Sequence, residues 1–112
     1  MTVALLKEFG ADTEEGLARC MNNEEFYLKM VNMALADERF ETMKDVLEKN
    51  DEEEAFEMAH GMKGVFGNLA LTPIYQPLCD LTEALRHRTG EDYMSLYSKM
   101  RSEKDRLLSM DR

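Results

Sequence analysis

Between Glu24 and Lys49 the chain carries neither glycine nor proline. No other feature restricts the fold as strongly, because nothing in this stretch ends a helix. Phe26, Met30, Met33, Phe40 and Leu47 recur at spacings of three, four and seven, which predicts one long amphipathic helix. Asp37 and Lys44 interrupt that stripe and allow a bend. Asn22 with Glu25 is the expected cap. Helix-start signals then divide the remainder. Asn50-Asp51 reads as a turn, and Asp51 with Glu54 caps a helix over about 52–70. Thr72-Pro73 reads as an N-cap followed by an N1 proline and opens a helix to about Arg88. Thr89 with Asp92 starts the last one, about 91–109. Ahead of these, residues 2–9 form a short apolar turn or two ending at Gly10. Asp12 with Glu15 is a capping box for a second short helix over 13–21. There is no period-2 run of β-branched residues and no Asn-Gly hairpin, so no strand is expected. Long helices joined by very short loops must run antiparallel to their neighbours. The expected fold is all-α: an antiparallel up-down-up-down four-helix bundle over 22–110. The short helices of 1–21 cover one end or flank, and residues 1–112 form one domain.

The composition excludes several functions. A net charge of −9 over 112 residues leaves no basic surface for nucleic acid or for an anionic membrane. No apolar run approaches the roughly 20 residues needed to span a bilayer. The N-terminus lacks the basic start and apolar stretch of a signal peptide, which points to the cytoplasm. Cys20 and Cys79 are too few and too far apart for a disulfide framework or a zinc site. His60 and His87 add no metal constellation to them. Glu57 and His60 form a Glu-x-x-His pair, but it faces outward and has no second copy, so a metal-binding bundle is disfavoured. His87, between Arg86 and Arg88, fits a helix C-terminus, where positive charge is favourable. The ten methionines are ordinary filling for a helical core.

The stretch A-H-G-M-K-G-V-F-G-N-L, residues 59–69, is the unusual part of the third long helix. Each interior glycine costs roughly 1 kcal/mol against alanine, so Gly61, Gly64 and Gly67 together cost about 3 kcal/mol. At about 100° per residue, Ala55, Met58, Ala59, Met62, Val65, Phe66 and Leu69 fall on one core face. His60 lies opposite, with Phe56 one turn before it, Lys63 and Gly64 one turn after, and Gly67 two turns after. The periodicity survives the glycines, so the segment is helix. Gly64 and Gly67 are then on the solvent side, where they give a partner's backbone clearance to reach the imidazole. Gly61 widens the same opening. Lys63, at i+3, sets an ammonium near the ring, an arrangement suited to holding an anion attached to it. Phe56 is a candidate apolar docking contact.

With these residues in place, the stretch resembles the signature of histidine-containing phosphotransfer (HPt) domains: His, Lys at +3, Gly at +4, then small or polar residues. The long helix before it and the L-T-P-I-Y-Q-P-L-C-D-L-T-E-A-L-R helix after it fit as well, so the resemblance covers roughly 22–110. It implies that His60 is the phosphoacceptor, that Lys63 stabilises the phosphoryl group, and that Gly64 and Gly67 leave room for a partner. In the family a polar residue on the next helix contacts the other imidazole nitrogen, and a gapless count lands on Thr82. Two departures stand out. Gly61 replaces the commoner Thr or Ser, and Ala70 stands where a Gly often follows.

The implied function is a phosphorelay intermediate in two-component signalling. His60 takes a phosphoryl group from a receiver-domain aspartate and passes it to another receiver. The expected partners are response-regulator receiver domains and a sensor (hybrid) histidine kinase. The expected state is a monomer that works without nucleic acid or membrane. No nucleotide-binding motif is present, so no autokinase activity is expected. No cofactor is expected on this chain, since Mg²⁺ belongs to the receiver. With an acidic surface, docking is expected to rely on Phe56 and Lys63. The alternative is an acidic helical interaction adaptor, a degenerate HPt-like module without phosphotransfer.

Overall fold

Polar side chains fix where most of the helices start. In the computed structural model, which describes residues 1–112, all regular structure is helical: α1 (Val3–Phe9), α2 (Thr13–Arg19), α3 (Glu24–Leu35), α4 (Arg39–Glu48), α5 (Glu52–Asn68), α6 (Thr72–His87) and α7 (Tyr93–Met110). Thr2, Asp12, Asn23, Asp51 and Asp92 each accept a hydrogen bond from a backbone N–H in the first turn that follows. These bonds satisfy donors that the helix itself leaves free. Three boundaries differ from the sequence reading. Asn23, not Asn22, caps α3, because Met21 and Asn22 form a left-handed turn at φ 57° and 55°. Leu71 occupies the cap position of α6, with Thr72 and Pro73 in its first turn. Asp92 caps α7, while Thr89 stays in the preceding loop.

The glycine-free stretch is two helices and not one. α3 ends at Leu35, and the Asp37 carboxylate accepts from the Arg39 backbone N–H at 2.9 Å, starting α4 afresh. An aspartate that bonds backbone two residues on offers the chain a turn in place of a helical hydrogen bond. The stripe therefore loses its phase. Phe40 and Leu47 are buried, but Phe26 is 40% and Met33 59% exposed. Tyr27, Val31, Ala34 and Leu35 form the buried face of α3 instead. Two helices with different axes need not share one apolar face.

α4, α5, α6 and α7 pack in sequence order, each beside the next, and α4 closes the ring against α7. The turns between them are short, and Asn50, Ala70 and Arg88 take left-handed conformations there (φ 58°, 56° and 49°). A non-glycine residue in that region costs roughly 1–2 kcal/mol. Met43, Met62, Leu78, Leu81 and Met100 are fully buried at the centre. Phe40 meets Phe66 edge-on at 5.5 Å, a favoured aromatic geometry.

The N-terminal helices fasten the corner between α5 and α6. The Tyr27 hydroxyl donates to the Leu69 carbonyl at 2.9 Å. The Asp12 N–H donates to the Ala70 carbonyl at 3.0 Å. Gly16 makes room for the Tyr27 ring, since a Cβ there would lie 2.6 Å from the phenol oxygen. Burial, with Cys20 and Asp12 nearby, pushes the Tyr27 hydroxyl up to about 12, so it keeps its proton and its donor role.

Candidate functional site

The core stripe of α5 falls where its periodicity puts it. Ala55, Ala59, Met62 and Phe66 are buried, Leu69 is buried just past the helix end, and Met58 and Val65 are half-buried at the margins. A helix with one face so anchored must present the opposite face to water. His60 is on that face and exposed. Its ring stacks nearly parallel on Phe56, with centroids 5.7 Å apart and planes 15° apart. The Arg86 guanidinium of α6 lies 5.1 Å from the same Phe56 ring. Phe56 is half-buried. It works as a shelf for the imidazole, with less free apolar surface than the docking role expected of it. Lys63 is half-buried one turn on and takes part in no ion pair.

The three glycines are not equivalent. A Cβ on Gly64 would meet nothing within 4 Å, so clearance beside His60 is real at that position. A Cβ on Gly67 would come within 2.9 Å of the Tyr75 ring of α6, and the Gly67 carbonyl accepts from Arg19 Nη1 at 2.8 Å. A Cβ on Gly61 would lie 2.6 Å from Arg39 Nη1. The expectation that Gly67 and Gly61 clear space for a partner is therefore corrected. The chain's own side chains use both spaces, and only Gly64 is open.

Thr82 also departs from expectation. It is fully buried, and its hydroxyl donates to the Leu78 carbonyl one turn back at 2.7 Å. A threonine bonded to its own helix in the core has no donor for a solvent-facing ring. The gapless count placed it on the wrong face of α6. Gln76 of the same helix does open onto the groove that contains His60. This groove has a volume of about 540 Å³ and is lined by His60, Lys63, Gly64, Arg19, Tyr75 and Gln76 among others. Sequence reasoning missed Gln76, Tyr75, Arg19 and Arg39. Only Gln76 left a signal, as the one glutamine on the following helix.

Basic side chains of this acidic chain thus share the groove with His60 (Arg19, Lys63) or lie over its neighbour Phe56 (Arg86). Arg19, Arg39 and Arg86 are each paired with a carboxylate, from Glu15, Asp37 and Glu83 respectively. Lys63 makes no ion pair, so its ammonium has no carboxylate partner of its own. Burial alone would push the Asp37 carboxyl up. The Arg39 hydrogen bonds and charge outweigh it and hold that carboxyl below the ordinary range. No group of three or more His, Cys, Asp or Glu side chains is placed to hold a metal ion. The arrangement supplies an accessible nucleophile and a cation, the two things needed to accept a charged group from elsewhere.

The sequence model of the Hpt domain matches residues 33–109. The chain belongs to the Hpt family. No curated protein and no solved structure matches it. Hpt domains carry out histidine phosphotransfer in two-component phosphorelays and in general have no kinase activity. They interact with receiver domains and histidine kinases. The Hpt match takes in the end of α3, all of α4 to α6 and all of α7 but its last residue, so both His60 and its bundle lie within it. α1, α2 and most of α3 precede it. No helix is long and apolar enough to cross a membrane.

Proposed function

We propose that His60 is the phosphoacceptor of this Hpt domain, taking a phosphoryl group from a receiver-domain aspartate and delivering it to a second receiver. The observation that carries this reading is the exposed imidazole, stacked on Phe56 beside an open Gly64 and an unpaired Lys63. In the forward step the neutral ring attacks through Nε2. Its lone pair forms the N–P bond, the P–O bond to the aspartyl carboxylate breaks, and the carboxylate leaves with that electron pair. The ring proton stays on Nδ1 during the attack. Phe56 limits how the imidazole can rotate, which favours the in-line approach that transfer requires. Lys63 neutralises charge on the transferred group. Mg²⁺, held by the receiver, supplies the remaining charge neutralisation on the partner's side. The chain acts in the cytoplasm as a monomer, without a cofactor of its own. Docking draws on the cationic rim around His60 as well as on Phe56.

The test is incubation with a phosphorylated receiver domain. Acid-labile, base-stable label should appear on the protein. His60→Gln should abolish it while leaving the helical circular dichroism unchanged. Label that persists in the variant refutes the assignment of His60. Lys63→Ala should slow the transfer by about tenfold, as expected for loss of one charge-assisted contact.

A further inference from the structure

Arg39 is the first residue of α4, yet its guanidinium lies against α5. Its Nε donates to both Asp37 oxygens at 3.1 and 3.0 Å, and Nη2 donates to one of them at 2.7 Å. That side-on grip uses one edge of the guanidinium and leaves Nη1 without an acceptor. Nη1 occupies the space a side chain at position 61 would need, 2.6 Å from the missing Cβ. Gly61 directly follows His60, so the guanidinium covers the α5 position next to the one that carries the imidazole. Around the α5 axis, Gly61 lies about 100° to one side of His60 and Lys63 about 60° to the other. On the α5 surface the histidine position therefore stands between Lys63 and the position that the Arg39 guanidinium covers from α4.

We propose that Arg39 is a second phosphoryl-binding residue: once His60 is phosphorylated, Nη1 donates to a phosphoryl oxygen on the side away from Lys63. This rests on the reading of His60 as phosphoacceptor. A guanidinium suits the task because its donors are planar and fixed in direction. Asp37 immobilises the other edge, so little further ordering is needed when the anion arrives. Gly61 has a purpose in this arrangement, since any side chain there would displace the arm. A receiver's own side chains are not required, so the contact can be tested on the isolated protein.

The experiment uses the full chain and potassium phosphoramidate, a small phosphoryl donor. In that reaction the ring Nε2 forms the N–P bond while the donor's P–N bond breaks and ammonia leaves with the electron pair. Phosphohistidine is followed by ³¹P NMR, and the Arg39 side-chain ¹⁵N signals are followed before and after. Phosphorylation should shift the Arg39 signals. Arg39→Gln should form phosphohistidine about three- to tenfold more slowly, the range between an exposed ion pair and a charge-assisted hydrogen bond. It should also displace the ³¹P resonance, and Arg39→Lys should recover part of the rate. Unmoved Arg39 signals in the phosphorylated wild type overturn the proposal, whatever Arg39→Gln does to stability. So does a wild-type rate and resonance in Arg39→Gln. Failure of the wild-type protein to form phosphohistidine, or a signal that survives in His60→Gln, overturns the phosphoacceptor reading itself, a different and recognisable result.

Discussion

Gly64 and Gly67 are one turn apart on the outer face of α5, and only one of them is vacant. Tyr75 lies over Gly67, while nothing approaches Gly64. From the sequence the two look alike: both cost helix propensity and both flank the histidine. A glycine in a helix tells where a close approach occurs, and only the fold tells whether the visitor is the chain itself. Here one space is internal packing and the other faces outward, so the two should respond differently to the same kind of substitution.

The largest contrast is expected at the open position. Gly64→Gln should reduce transfer from a phosphorylated receiver by about a hundredfold, the scale of a displaced reacting group. It should leave phosphorylation by phosphoramidate near the wild-type rate and raise unfolding stability by about 1 kcal/mol. Equal losses with both donors would mean that Gly64 does not provide access for a protein partner. A filled position should behave in the opposite way. Gly16→Ala would drive a Cβ into the buried Tyr27 ring. It should cost about 1–3 kcal/mol in chemical denaturation, as overpacking does. Ala70 inverts the comparison, since a side chain stands where the backbone favours glycine (φ 56°). Ala70→Gly should stabilise by about 1 kcal/mol, seen as a raised melting temperature. The smallest effect belongs to Gly61, whose visitor is an arm fastened by Asp37. Asp37→Asn should cost about 0.2–1 kcal/mol near neutral pH. Because the native Asp37 carboxyl is held low, this gap should be complete above the unfolded carboxyl value of about 3.9. It should close as pH falls through the lower native value. A gap that is constant with pH would rule out the ion pair as its source.

Much of this molecule is legible in its sequence, where the governing interactions are local. Asp12 and Asp51 cap the helices their spacing announces, and the period of Ala55, Ala59, Met62 and Phe66 alone suffices to turn His60 outward. What stays hidden is decided between segments. The Asp37 break looks like a bend within one helix because no glycine or proline marks it, and Phe26 and Met33 are then assigned to a face that no longer exists. Thr82 reads as a polar residue at the right count, but its hydroxyl is engaged one turn back within α6. The occupants of Gly61 and Gly67 come from α4 and α6, and no local pattern could name them.

The corner fastened by Tyr27 and Asp12 has a consequence for anyone trimming the protein to its matched segment. Residues 33–109 include the Leu69 and Ala70 carbonyls but neither the Tyr27 hydroxyl nor the Asp12 N–H, which leaves Ala70 only a 3.4 Å bond from the Thr72 hydroxyl. Excision at the family boundary would strip the elbow of its splints and unroof the apolar side chains beneath, loosening the strut that carries the histidine although every residue of the signature was retained.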